Sequence, residues 1–154
     1  MPDALAAFDC GSNSTRLLIA DADGNALRRE MNITRLSEGV DASRELLPSA
    51  MDRTFAVLRA YRRDCDEAQV ARGLLVATSA VRDAANGAEF LATAREICRC
   101  EARIIDGHEE AELSYAGAIG DLEVASVPTM IVDVGGGSTE LAVELDSRLI
   151  GYSM

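Results

Sequence analysis

Apolar and polar positions alternate along two short stretches that lie far apart in the chain. Residues 8–19 read FDCGSNSTRLLI and residues 132–143 read VDVGGGSTELAV, each an apolar run, a Gly/Ser turn and a second run of alternating character. A period of two puts successive side chains on opposite faces, so each stretch predicts strand, tight turn, strand. The returning strand of the first hairpin runs from Thr15 to Asp21, and Asp23-Gly24-Asn25 turns the chain into a further strand over Ala26 to Thr34. Past Pro48 the period changes. Met51, Phe55, Leu58, Tyr61 and Cys65 recur at spacings of three and four, which predicts an amphipathic helix entered through proline. GLLVAT, Gly73 to Thr78, is an apolar run of the buried-strand kind and leads to Ser79 and Arg82. Asn86-Gly87 breaks the chain before a helix over 88–99, and EARII predicts a strand over 101–105. A third helix starts at Asp106-Gly107, where Asp106 and Glu109 have capping-box spacing. The order β-β-β-α-β-α-β-α-β-β is α/β with a mixed sheet rather than a plain parallel one.

The two glycine turns are copies of one another. At a constant offset of 124, Asp9 matches Asp133, Gly11 matches Gly135, Ser14-Thr15 match Ser138-Thr139 and Leu17 matches Leu141. A repeat this distant predicts duplicated half-folds rather than a solenoid. Glycines admit positive φ and bring backbone N–H groups close to a ligand, and successive N–H groups with Ser and Thr hydroxyls make an anion nest. The aspartate before each turn cannot itself bind phosphate, but it can hold a divalent cation or a water beside one. Two matching turns therefore predict a phosphate clamp closing from both sides. The copies diverge where Arg16 faces Glu140 across the repeat: an arginine can grip phosphate, and a glutamate can join Asp133 at a metal. GSNSTR is not GxGxxG and a strand follows it, which excludes a dinucleotide site.

Composition narrows the chemistry. The chain has 154 residues, 48% of them hydrophobic, enough for a real core; aromatics are 4% and tryptophan is absent, so Ala, Leu, Val and Ile build it. Acidic residues outnumber basic ones 26 to 15, a formal charge of −11 that argues against a nucleic-acid partner. A polyanionic ligand then needs metal ions and placed arginines to reverse the sign locally. Lysine is absent, which excludes Schiff-base chemistry and a Walker-type phosphate lysine. No apolar run approaches membrane-spanning length and the first residues have no basic leader, so a cytoplasmic protein with no membrane partner is expected. Cys10, Cys65, Cys98 and Cys100 form no CxxC pair and are expected as free, buried thiols. The acidic cluster at the third helix reads as N-terminal stabilisation, with Glu109 assigned to the cap; composition does not separate Glu110 from its neighbours.

FDCGSNSTRLLIAD, ATSAVRDAANG, IIDGHEEAEL and IVDVGGGSTELAVE occur in this order from residue 8 to residue 145. Together they resemble the exopolyphosphatase / guanosine pentaphosphate phosphohydrolase (Ppx/GppA) family of the actin-like ATPase superfamily. The resemblance implies a ribonuclease-H-like α/β domain over residues 1–124 and the first strands of a second, similar domain over 125–154, with the active site between them. It implies that Glu110 is the catalytic base and that Asp133 and Glu140, with Asp9, serve a divalent metal, Mg²⁺ or Mn²⁺. Gly11, Ser12, Asn13 and Ser14 with Gly135, Gly136, Gly137 and Ser138 would bind phosphate, with Arg16 and Arg82 as substrate-side charges. The alternative for Arg82 is a salt bridge to a neighbour such as Asp83. The implied reaction releases orthophosphate from inorganic polyphosphate, or the terminal phosphate from guanosine pentaphosphate, and the full-length form is expected to be a homodimer. The same two turns serve ATP-binding kinases and chaperones of the superfamily, and a non-catalytic polyphosphate-binding module is a further alternative. Three departures stand out: Glu112 where family members commonly have arginine, Cys10 where they have an aliphatic residue, and a family pattern that continues past the position of Met154. The strands after about Val127 are expected to carry an apolar face that this stretch cannot cover, leading to pairing with another copy or to mobility.

Overall fold

The computed structural model describes residues 4–120, 129–145 and 148–154. Strands β1 (Leu5–Cys10), β2 (Ser14–Ala20) and β3 (Ala26–Ile33) form an antiparallel meander. Strand β4 (Arg72–Ala77) pairs parallel to β1, and β5 (Glu101–Ile104) pairs parallel to β4, giving the order β3-β2-β1-β4-β5. This is the expected mixed sheet of a ribonuclease-H-like domain. Its inward face follows the alternation in sequence: Ala6, Phe8 and Cys10 on β1, then Thr15, Leu17 and Ile19 on β2, are all buried.

Two helices cover that face. Helix α2 (Pro48–Glu67) starts on Pro48 and buries Phe55, Leu58, Tyr61 and Cys65 along one stripe. Helix α4 (Gly87–Cys98) buries Phe90, Ala94 and Cys98, one residue per turn, and stacks Phe90 on Phe55 with ring centroids 5.1 Å apart. Burying side chains of this size contributes roughly 1.5–3 kcal/mol each. Tyr61 brings a polar atom into the core and satisfies it, donating to the Thr15 carbonyl at 2.9 Å and accepting from Asn32 Nδ2 at 3.0 Å. Two single-turn helices, α1 (Val40–Ser43) and α3 (Ser79–Arg82), were not predicted, because one turn is too short to show a period.

A second sheet, β6 (Met130–Val134), β7 (Thr139–Leu145) and β8 (Arg148–Ser153), is an antiparallel meander in the order β6-β7-β8. It has three strands, one more than the β-β ending of the element order and within the two or three expected after about Val127. Its first hairpin repeats the register of β1 and β2: Asp9 pairs with Arg16 and Asp133 with Glu140, Cys10 with Thr15 and Val134 with Thr139. One face is covered by helix α5 (Gly107–Gly120), whose Ala111 and Tyr115 pack on Ala142. The approach is close enough that a Cβ on Gly151 would stand 3.0 Å from the Ala111 methyl. On the opposite face Met130, Val132 and Val134 are exposed, in the positions that Ala6, Phe8 and Cys10 hold in the first sheet. The expected uncovered apolar face is thus present on one side only. The expected boundary at 124/125 lies outside the described residues. Among the described residues no helix is long and apolar enough to cross a membrane.

Candidate functional site

The two glycine turns meet tip to tip. Each is closed by the same hydrogen bond, Gly11 N–H to the Ser14 carbonyl at 3.0 Å and Gly135 N–H to the Ser138 carbonyl at 2.9 Å. Among the described residues only Gly24 and Gly39 are glycines at positive φ, so these turns do not use glycine for left-handed backbone as expected. They use it for contact. A Cβ on Gly136 would lie 3.1 Å from the Asn13 Cβ, and one on Gly137 would lie 2.7 Å from Ser12 Oγ and 3.0 Å from Ser79 Oγ. Ser79, at the start of α3, joins the turns: its hydroxyl bonds Ser12 Oγ at 2.8 Å and accepts from Ser138 Oγ at 3.4 Å.

The first turn is anchored from behind. Thr34 and Arg35 N–H groups donate to the Asn13 carbonyl, and Ser37 N–H donates to the Ser12 carbonyl, at 2.9–3.0 Å. Across a trans peptide the carbonyl and the following N–H point in opposite directions, so the Asn13 and Ser14 amides are turned away from the 34–37 loop. Beside the turns opens a cleft of about 470 Å³. Gly11, Ser12, Asn13, Ser14 and Arg16 line one side, Gly135, Gly136 and Ser138 the other, with Asp9, Glu110, Asp133 and Glu140 along it. Of the expected phosphate-binding residues, Gly137 packs against Ser12 and Ser79 rather than lining the cleft, and Arg82 stands behind Glu110.

The carboxylates have separate environments. Glu110, in the first turn of α5, is held by Arg82 Nη1 at 3.3 Å, and the same nitrogen donates to the Ile105 carbonyl at 3.0 Å. Burial, then the nearby Glu140 charge, raise the Glu110 carboxyl above its ordinary range, against the Arg82 guanidinium and a Thr78 hydrogen bond that lower it. Glu140 is 2% exposed and accepts from Ser153 Oγ at 3.0 Å. Asp133 accepts from Ser114 Oγ at 2.7 Å, one turn beyond Glu110 on α5. Burial raises the Asp9 carboxyl; Arg16 opposes this and Asp133 adds to it. Arg16 is 4.0 Å from Asp9 and mostly exposed.

One expectation at the α5 N-terminus needs correction. Asp106 Oδ1 does accept the Glu109 N–H at 2.9 Å, as a cap should. The Glu109 side chain does not reach back; it forms an ion pair with Arg103 of β5, Nη1 to Oε2 at 2.7 Å. The nearby arginine outcompetes a backbone N–H for the carboxylate, since both partners of that bond are charged. Glu112, which stands where family members commonly have arginine, is not among the residues lining the cleft and lies 3.4 Å from His108 Nδ1. Arg82 does reach Asp83, but only at 3.9 Å.

Among the described residues no three His, Cys, Asp or Glu side chains group closely enough to hold a metal ion. Asp9, Asp133 and Glu140 nonetheless line the same cleft; the charge of Asp133 acts on Asp9 and that of Glu140 on Glu110. Mg²⁺ keeps several waters and binds through one or two carboxylates plus substrate phosphates. An all-oxygen pair such as Asp9 and Asp133 fits that demand.

Thr78, Ser79 and Ser114 belong to the site and were missed. Ser114 had a signal, four residues after Glu110 on one helix face, and Ser79 had one in its place just past the end of a buried strand.

The sequence matches the pattern described as the Ppx/GppA phosphatase family over residues 18–149. It is 40% identical over 161 aligned positions to exopolyphosphatase 2 of Mycobacterium tuberculosis, covering 97% of this chain and 50% of that protein. An exopolyphosphatase from Cytophaga hutchinsonii superposes with a TM-score of 0.90 at 27% identity, over 99% of this chain and 50% of that one. The Ppx/GppA family member of Aquifex aeolicus gives 0.82 at 30% identity, over 99% and 51%. The chain thus spans about half the length of the relatives it matches.

Proposed function

Since the chain belongs to the Ppx/GppA phosphatase family, we propose that its cleft takes part in hydrolysing terminal phosphoanhydride bonds, releasing orthophosphate from inorganic polyphosphate. The observation that carries this reading is the position of Glu110: a carboxylate of raised proton affinity, held by Arg82, in the same cleft as both glycine turns. A base poised nearer neutrality than an ordinary carboxylate is suited to taking a proton from water.

In this reading the turn amides and the hydroxyls of Ser12, Ser14 and Ser138 receive the terminal phosphoryl oxygens. Glu110 accepts the proton of a water whose oxygen bonds to the terminal phosphorus as the bridging P–O bond breaks. The shortened chain leaves with its new terminal oxygen. Asp9 and Asp133, with Glu140 as the third candidate, are the side chains that would hold Mg²⁺ or Mn²⁺; such an ion, when bound, neutralises phosphate charge. That help matters in a chain of net charge −11. Guanosine pentaphosphate carries the same terminal bond and is the second substrate of this reading. Residues 1–124 and 125–154 are its two domains, and the exposed face with Val132, Val134 and Tyr152 supports a homodimer.

The test is phosphate release from polyphosphate, guanosine pentaphosphate and ATP, each with Mg²⁺ and with chelator. Release from polyphosphate that stops with chelator is expected. Preference for ATP would favour the kinase- or chaperone-type alternative. Tight polyphosphate binding without release would make the protein a binding module.

A further inference from the structure

Three hydroxyls form a row across the seam between the two glycine turns. Ser12 belongs to the first turn, Ser138 to the second, and Ser79, at the start of α3, stands between them. Ser79 Oγ is 2.8 Å from Ser12 Oγ and 3.4 Å from Ser138 Oγ, and all three residues line the cleft. Ser12 and Ser79 are buried, and the main chain of each is fixed. Thr78 N–H donates to the Cys10 carbonyl at 3.3 Å and the Ser79 carbonyl accepts from Asp83 N–H at 2.9 Å, which pins the start of α3 to the end of β1. Ser37 N–H holds the Ser12 carbonyl from behind. The second turn presses on the row from the other side, since a Cβ on Gly137 would stand 2.7 Å from Ser12 Oγ and 3.0 Å from Ser79 Oγ.

Counting hydrogens gives the row a direction. A serine hydroxyl has one hydrogen to donate and two lone pairs that accept. Ser138 donates to Ser79. If Ser12 donated to Ser79 as well, Ser79 would accept twice and keep its own hydrogen in a buried place already occupied on both sides. If Ser79 donates to Ser12, each link uses one hydrogen and the two bonds polarise one another in the same sense. The hydrogen left over then sits on Ser12, at the end of the row, beside the cleft. Ser138 can donate to a phosphoryl oxygen only by giving up Ser79, whereas Ser12 can do so without breaking a bond.

We propose that Ser79 is a positioning residue for the phosphate chain: it aims the Ser12 hydrogen into the cleft and ties that donor to the second turn through Ser138. The inference rests on the phosphate-binding reading of the two turns and adds what keeps them in register. A hydroxyl donating to a charged phosphoryl oxygen makes one of the stronger hydrogen bonds. A donor that is already aimed loses no rotational freedom in making it. Ser79 acts through Ser12 and not on the reacting atoms, so its removal costs no more than the loss of that aim.

The experiment is a double-variant cycle with Ser12→Ala, Ser79→Ala and both together, each checked for folding by circular dichroism. Two quantities are read with Mg²⁺ present: tripolyphosphate affinity by calorimetry, and kcat/KM for phosphate release from polyphosphate. Ser12→Ala should lower both by about ten- to a hundredfold, the worth of a hydrogen bond to a charged group. Ser79→Ala should lower both by about two- to tenfold, the cost of ordering one side chain. The double variant should match Ser12→Ala to within about twofold, because without the Ser12 hydroxyl there is nothing left to aim. Ser79→Cys, which fills the same place with a weak hydrogen-bonding group, should behave like Ser79→Ala. Losses that multiply in the double variant, full recovery with cysteine, or a Ser79→Ala protein equal to the unaltered one would overturn the inference and leave the phosphate-binding reading standing. An unaltered protein that neither binds tripolyphosphate nor releases phosphate would overturn that reading, and the inference with it.

Discussion

Replacing Arg82 with Met removes a positive charge from beside Glu110 and keeps a side chain of similar length. The guanidinium nitrogen is 3.3 Å from Glu110 Oε2. At that separation and an effective dielectric of about 20, two unit charges attract by roughly 5 kcal/mol. The side chains are 27% and 15% exposed, so solvent takes much of this, leaving on the order of 1–2 kcal/mol. The attraction favours the ionised carboxylate. Without it Glu110 keeps its proton to higher pH, and the base form becomes scarcer on the acid side. Phosphate release from polyphosphate, measured as kcat/KM from pH 5 to 9, should fall about five- to thirtyfold on the acid limb. At the alkaline end it should return to within a few-fold of the unaltered protein. Arg82→Lys, which keeps the charge and loses the planar fork, should recover part of the acid-limb activity. A loss of equal size at every pH would refute the argument and place Arg82 on the substrate. An unmoved limb would mean that the pair does not govern the base.

Glu110→Gln should lower phosphate release by about a hundred- to ten-thousandfold, whereas Glu109→Gln, which loses only a partly exposed ion pair with Arg103, should cost about 0.2–1 kcal/mol of stability and leave turnover close to normal. Gly137→Ala places a methyl against Ser12 and Ser79, and the separation of the turns should reduce kcat on the order of ten- to a hundredfold with little change in urea midpoint. Tyr61→Phe removes the hydroxyl shared by Thr15 and Asn32 and should cost about 1–2 kcal/mol in urea unfolding without affecting turnover.

The sequence was most legible where a period was long enough to read. The α2 stripe from Phe55 to Cys65 and the alternating β1–β2 hairpin appear in the structure nearly where the pattern puts them, because burial of one face is what holds them in place. The repeat of Asp9–Ser14 in Asp133–Ser138 gave the pairing register as well as the elements, since a turn of fixed length fixes which residues face each other. Side-chain partners were less legible. Glu109 chose Arg103 over its own helix, and nothing in local spacing announces an ion pair that depends on how β5 and α5 meet. The role of the glycines was legible as to place and misread as to cause: what matters at Gly136 and Gly137 is a second turn, distant in sequence, pressed against them. Ser79 escaped for the same reason, because its partners are 67 and 59 residues away.

The matched register of the two hairpins has an effect on direction. At corresponding places one hairpin carries Asp9 opposite Arg16, which balance, and the other carries Asp133 opposite Glu140, which add. The backbone is duplicated, but the electric field across the gap is not. A row of identical phosphates carries no arrow of its own, and a truly symmetric vise would grip it equally well facing either way. With one jaw neutral and the other doubly negative, the gap itself has a head and a tail. On the proposed reading, a polyanion entering the gap would meet a balanced pair on one side and two carboxylates on the other, a difference that a single exchange of side-chain sign between two copies of one hairpin is enough to supply.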